Sequence, residues 1–286
     1  MSNHVYFDMH EGARGNTYRV VGRIETDEGR GYTLDEWINR GGNATVYRCT
    51  EEGTGDEYAI KILLNDGWKS AKRFFREVKL LKSLTSPHVT RYRGAGKMKL
   101  ASRSTRKVPF MVMELADQSL QEYMVYRKRR IAYEEYAGQF RGLAQALADL
   151  HKLAIHRDIK PENVLISGDR WLLSDYGLCA LLKPVGAELT QANQNVGPKF
   201  WLSPEAHNRR VGCADVICEA SDVFQLAAVF WYVATGRHPS GVLAHSDWTG
   251  PTKLFDVLYR SLSHNVHARP ADGAEFLRQL EESLES

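Results

Sequence analysis

Nowhere in this 286-residue chain do about 18 apolar residues run uninterrupted, the length a membrane-spanning helix needs. The opening MSNHVYFDMH lacks a basic stretch followed by an apolar core, the pattern of a secretory leader. A cytoplasmic protein with no membrane partner is therefore expected. Cysteine is scarce: Cys49, Cys179, Cys213 and Cys218 form no C-x-x-C pair and meet no histidine at zinc-finger spacing, so reduced thiols are expected. A surplus of one charge is missing too. Lys plus Arg number 38 against 35 Asp plus Glu, which is too small a difference to argue for nucleic acid. There is no internal repeat and no low-complexity linker. Partners have to be argued from sites.

What is present is enough apolar material, 43% of residues, to build one large domain or two lobes. The first half reads as β-rich. TYRVVGRIETDEGRGYTLDEWI suggests a hairpin around the turn-prone TDEGRG, and ATVYRCT and EYAIKIL read as strands joined by EEGTGD. The regions VTRYRGAG and PFMVMEL complete an expected five-strand sheet. One helix interrupts it, with Phe74, Val78, Leu81 and Leu84 at helical spacing. Beyond Leu115 the period changes, with Tyr136, Phe140, Leu143, Leu147 and Leu150 on one stripe. SDVFQLAAVFWYVATG is apolar almost all round, as a helix inside a lobe would be, and AEFLRQLEESLES is amphipathic. The expectation is an α+β chain: residues 1–31 an extension forming part of a hairpin, 32–114 a small β lobe and 115–286 a larger α lobe, with MELADQS as the crossing.

The chemistry concentrates in IHRDIKPENVLI and, after one turn and strand, LLSDYGL. This stretch resembles the eukaryotic-type protein kinase family, whose catalytic loop reads H-R-D-x-K-x-x-N and whose metal motif reads D-F-G. His156, Arg157, Asp158, Lys160 and Asn163 match the first, and Asp175, Tyr176 and Gly177 the second. An isolated HRD would read as a solvated loop; the fixed offsets to Lys160, Asn163 and Asp175 argue against that. The resemblance implies a bilobal kinase fold, ATP and Mg²⁺ as cofactors, and a protein substrate, with serine/threonine specificity suggested by Lys160. It implies Asp158 as base, Lys160 beside the γ-phosphate, and Asn163 and Asp175 as hard oxygen ligands for the metal.

Upstream, YAIK ends in Lys61, and Glu77 follows Phe74 by three and precedes Leu81 by four, so it shares the helix's inner face. A carboxylate there needs a partner, and Lys61 is the natural one. In kinases such a pair holds the lysine against the α- and β-phosphates. The glycine-rich template of the family, laid with its valine on Val46, retains only Gly41, with Gly42 following and Asn39 and Ala44 in the other glycine places. Asn tolerates positive φ and alanine adds one methyl, so the loop is expected to keep covering ATP. By resemblance the purine meets Ile38, Val46, Ala59 and Leu165, with Met113 as gatekeeper and the backbone from Glu114 to Ala116 at its edge. The softened glycines leave open a nucleotide-binding pseudokinase scaffold.

The resemblance also implies structural partners, Glu205 with Arg269, and Asp222 beneath the catalytic loop. Arg157 suggests a phosphate on the activation segment, and Thr190 is the candidate, unless Arg157 pairs with an acid such as Glu188. Pro198 stands where serine/threonine kinases carry a threonine. The basic runs 102–107 and 126–130 read as solvated faces, with contact to an acidic protein substrate or to nucleic acid as the alternative. Oligomeric state is not encoded in any of these patterns.

Overall fold

The computed structural model describes residues 4–6, 17–41, 43–64, 67–101, 106–128, 131–182 and 200–285. Thr190, Gly42, Glu188 and Pro198 lie outside them. Two compact units divide the chain, Met1–Ser83 with Arg91–Ala116, and Leu84–Thr90 with Asp117–Ser286.

The first unit holds strands β1 (His4–Tyr6), β2 (Thr17–Val21), β3 (Ile24–Glu25), β4 (Gly31–Arg40), β5 (Ala44–Glu51), β6 (Glu57–Leu63), β7 (Tyr92–Ala101) and β8 (Arg106–Glu114). They form one antiparallel sheet in the order β1-β2-β7-β8-β6-β5-β4-β3. Eight strands replace the expected five. β1 to β3 are too short to show an alternating pattern, and β2 finds its partner in β7, far along the chain, with Arg19 opposite Ala101. The hairpin around TDEGRG is present as β3 and β4, paired through Ile24 and Tyr32.

The sheet curls until β3 meets β7. Thr26 bridges Gly96, and the Asp27 N–H donates to the Ala95 carbonyl at 2.8 Å. Closure depends on the missing side chain at Gly96, where a Cβ would stand 2.6 Å from the Glu25 carbonyl oxygen and 2.9 Å from the Phe110 ring. Tyr32, Leu34, Tyr47, Ile60, Phe110 and Val112 fill the inside. Each such burial stabilises the fold by about 1.5–3 kcal/mol. Helix α1 (Trp68–Ser83) turns Phe74, Glu77, Val78 and Leu81 inward. Leu84 lies past its end and belongs to the second unit.

The second unit is mainly helical, with α2 (Leu120–Tyr126), α3 (Tyr133–Leu150), α4 (Pro204–Arg210), α5 (Glu219–Thr235), α6 (Thr252–Ser261) and α7 (Gly273–Glu285). Short strands β9 (Gln118–Ser119), β10 (Ala154–Ile155), β11 (Val164–Ser167), β12 (Arg170–Leu173) and β13 (Ala180–Leu181) accompany them. The α3 stripe from Tyr136 to Leu150 is buried as its period requires. Phe140 stacks on Phe230 of α5 at 3.8 Å between ring centroids. α5 is buried from Ala220 to Val233 on nearly every side, which makes it the rigid post under the loops between β10 and β12.

Candidate active site

Three sequence-distant pieces of the helical unit assemble around the loop 156–163. The α5 carboxylate of Asp222, fully buried, accepts from the His156 N–H at 2.5 Å, the Arg157 N–H at 2.8 Å and His151 Nε2 at 3.1 Å. The Gly273 N–H donates to His151 Nδ1 at 2.9 Å, which places the imidazole proton on Nε2, facing Asp222. One aspartate thus ties the loop's backbone to α3, α5 and the start of α7. Gln225, one turn further along α5, accepts from the Ile159 N–H at 3.2 Å and donates to the Trp201 carbonyl at 3.1 Å.

His156 lies beneath the loop with no exposure. The Asp158 N–H points at its Nδ1 at 3.3 Å, so Nε2 carries the proton and donates to the Ser174 carbonyl at 3.1 Å. Ser174 in turn donates through N and Oγ to the Asn163 carbonyl, at 3.0 and 2.8 Å. Sequence reasoning missed Ser174, Gln225 and His151. Only Gln225 left a signal, its spacing of three from Asp222 on one helix face.

Asp158 is buried at 5% exposure, and its Oδ2 receives Asn163 Nδ2 at 2.8 Å with Lys160 Nζ at 3.3 Å. Burial pushes this carboxyl above the ordinary aspartate range; Lys160 and His156 oppose the shift, and Asp175 adds to it. Asn163 spends its amide nitrogen on Asp158, on both Oδ2 and the main-chain carbonyl at 2.8 Å. Two non-glycine residues take left-handed backbone here, Arg157 at φ 70° and Asp175 at φ 60°. Such strain costs on the order of 1–3 kcal/mol each and persists only where surroundings enforce it. Arg157 is held by Asp222 and by its own Nε–H to the Leu178 carbonyl at 2.8 Å. Tyr176 keeps an aromatic in the second motif; it is buried, packs on His156 and donates its hydroxyl to the Leu173 carbonyl at 2.8 Å. Leu165 is half-buried on β11 between Ser119 and Leu172, pointing away from its buried neighbours Val164 and Ile166.

In the β unit, Lys61 Nζ contacts Glu77 at 2.7 and 3.0 Å, and Glu77 keeps only 4% of its side chain exposed. Cross-strand pairing puts Val46 opposite Lys61, and Ala59 opposite Met113, so these four share one face of the sheet. The register slips between Trp37 and Asn39, leaving Ile38 as the extra residue of a bulge at 40% exposure. Glu114 closes β8, its N–H donating to the Arg91 carbonyl at 2.9 Å, and Ala116 ends this unit half-buried. Asn39 takes ordinary strand φ rather than the positive φ expected of a glycine substitute, because it pairs with Val46. Gly41 has no positive φ either, and a Cβ there would meet nothing nearer than 3.9 Å. Ala44 is buried within β5, opposite Leu63.

A cavity of about 1360 Å³ opens in the helical unit, lined by Gln121 and Glu162 on the catalytic-loop side and by Phe200, Trp201, Leu202 and His238. The His238 ring crosses Trp201 at 4.5 Å, and burial holds its imidazole below the usual histidine range. No group of three or more His, Cys, Asp or Glu among the described residues is arranged to hold a metal by itself. The four cysteines are free, and no described helix is long and apolar enough to cross a membrane.

Comparison with known proteins matches residues 32–280 to the family described as "Protein kinase domain". A probable serine/threonine-protein kinase PknB of Bifidobacterium longum is 28% identical over 216 residues, 73% of this chain and 30% of that protein. The human serine/threonine-protein kinase/endoribonuclease IRE2 is 30% identical over 275 residues, 93% of this chain and 25% of that protein. The serine/threonine-protein kinase drp72 of Corynebacterium efficiens is 28% identical over 281 residues, covering 90% and 52%. The chain thus spans between a quarter and about half the length of these relatives.

Proposed function

The chain belongs to the Hanks-type serine/threonine protein kinase family, and from that premise we propose that it transfers the γ-phosphate of ATP to serine or threonine hydroxyls of a protein substrate. The observation that carries this reading is the cluster of Asp158, Lys160 and Asn163 on a backbone clamped by Asp222. Asp158 commits Oδ2 to the amide and the ammonium, and Oδ1 is the proposed acceptor of the substrate hydroxyl's proton. Burial raises its pKa, which strengthens it as a base, and Lys160 opposes that shift. Lys160 then faces the transferring phosphoryl group, and its short reach to Asp158 fits a serine or threonine acceptor better than a tyrosine, whose hydroxyl stands farther from its backbone.

The residues present fit Mg²⁺. With its side-chain nitrogen bound to Asp158, Asn163 offers its side-chain Oδ1, and Asp175 adds a carboxylate. Two hard oxygen donors are what Mg²⁺ asks of a protein when phosphate and water complete its shell. When bound, it neutralises charge on the phosphate oxygens. Lys61, held by Glu77, is assigned to the α- and β-phosphates. Ile38, Gly41, Gly42, Val46, Ala59, Met113, Glu114, Ala116 and Leu165 are assigned to nucleotide binding. Residues 32–114 and 115–286 are the proposed small and large lobes. The cavity beside Glu162 suits an apolar side chain of the protein substrate.

Radiolabelled ATP with a generic protein substrate, followed by phosphoamino-acid analysis, tests the reading. Phosphoserine and phosphothreonine are expected. Asp158→Ala abolishes turnover and keeps nucleotide binding, while Asp175→Ala also loses metal-dependent binding. Substantial turnover by Asp158→Ala, or phosphotyrosine as the main product, overturns it.

A further inference from the structure

The charge surplus of the whole chain is small, but the fold does not spread it evenly. In the β unit several cations meet an acid: Arg23 pairs with Glu52, Arg48 with Glu57, Lys61 with Glu77, Lys82 with Glu28 and Arg93 with Glu51. The wall made by β2, β7 and β8 departs from this. Lys99 stands directly opposite Lys107 on one side and Val21 on the other. Residues directly opposed, or two apart along a strand, point to the same face. Lys97 and Arg19 therefore join Lys99 and Lys107 on it. The intervening Val20, Met98, Leu100 and Val108 point inward and are buried. All four cations are exposed, and none pairs with an acid among the described residues.

Like charges directly across a strand pair oppose sheet formation, by a few tenths to about 1 kcal/mol. Here the repulsion is tolerated with no acid among the described residues placed against any of the four cations. We propose that this wall binds the phosphate backbone of a nucleic acid duplex. A duplex carries one negative charge per ~1.7 Å of axis, dense enough to set a phosphate against each cation of a wall whose cations stand about 5 Å apart across strands and about 7 Å along them. A protein partner is the poorer fit, because an interface needs a buried apolar or aromatic anchor, and Val21, 37% exposed, is the only large apolar side chain exposed on this wall among the described residues. With no exposed aromatic on β2, β7 or β8 among the described residues, there is no platform on which unpaired bases would stack. Binding is thus to backbone rather than to sequence, and independent of the phosphotransfer reading.

Fluorescence anisotropy of the full chain with a labelled 24-base-pair DNA duplex tests this in 50 and 200 mM NaCl. Four phosphate contacts predict an affinity loss of about 10²-fold between these salts. Lys99→Glu with Lys107→Glu, both exposed, weakens binding at least tenfold and lowers the salt slope by about 2. Lys79→Glu with Arg91→Glu, the same charge change at exposed positions off the wall, leaves most of the affinity. Far-UV circular dichroism and a thermal melt of both double variants report that each is folded. Absence of duplex binding in 50 mM salt overturns the proposal. So does equal weakening by the two double variants, or tighter binding of polyglutamate or single-stranded DNA than of the duplex.

Discussion

Arg269 grips Glu205 through two parallel hydrogen bonds of 2.9 Å, and the guanidinium has no exposure at all. Its remaining donors reach the carbonyls of Ser263, Ala220 and His264, so all five N–H groups are used. Burial alone would push the Glu205 carboxyl up, yet the hydrogen bonds from Arg269 and Ser221 outweigh it and hold the group below the usual glutamate range. A carboxyl depressed in the folded state contributes stability that is present above its unfolded pKa and is lost as pH falls through its folded value.

Arg269→Leu strands a buried carboxylate and is expected to cost about 3–5 kcal/mol at pH 7. Arg269→Lys recovers little, because an ammonium cannot reproduce the fork. Urea unfolding monitored by the helical signal measures both, and the Leu variant's deficit shrinks toward pH 4, where Glu205 without its partner protonates.

For Asp158 the sign is opposite. Burial raises its pKa above the unfolded value, so the stability tied to its neutral form is present below the unfolded pKa and is lost as pH rises through the folded one. Asp158→Asn is therefore expected to abolish turnover and to raise the Tm by about 2 °C at pH 7, the shift that under 1 kcal/mol produces in a chain of this size. Calorimetry at pH 7 and pH 4 checks it: the gain disappears at the lower pH. A lower Tm at pH 7 would mean that the amide loses more in its contacts with Lys160 and Asn163 than it gains.

Gly41 and Ala44 separate what the fold needs from what a ligand needs. Gly41 has ordinary φ and room for a Cβ, so Gly41→Ala leaves the Tm within about 2 °C while the KM for ATP rises if backbone must approach phosphate closely. Ala44 is buried in β5, and Ala44→Gly costs about 0.5–1 kcal/mol of stability. Thermal melts and steady-state kinetics on both variants decide between these outcomes.

Gly96→Val drives a side chain into the Glu25 carbonyl and the Phe110 ring. The sheet closure between β3 and β7 opens or strains, at about 1–3 kcal/mol. Hydrogen exchange should show lost protection at Asp27, whose N–H bonds the Ala95 carbonyl across that seam.

Sequence alone determined the parts whose physics is local. Asp158, Lys160 and Asn163 lie within one turn of chain, and Lys61 and Glu77 were linked by a helix face that demanded a partner. The buried stripe of α3 and the all-round burial of α5 follow from a period of 3.6, which needs no knowledge of neighbours. Tertiary structure decided everything that depends on strands meeting from far apart. β1 to β3 joined the sheet because β7 was there to pair with β2, and Gly96 had no side chain to keep β3 away. Asn39 took ordinary backbone because β4 runs through it to Arg40, and Gly41 follows the strand's end with its N–H bonded to the Ala44 carbonyl. Ser174, His151 and Gln225 became partners of the catalytic loop only when α3, α5 and β12 packed around it. The cationic wall has the same origin: Arg19 lies some eighty positions from Lys97, Lys99 and Lys107, and only the register of β2, β7 and β8 sets their charges on one face.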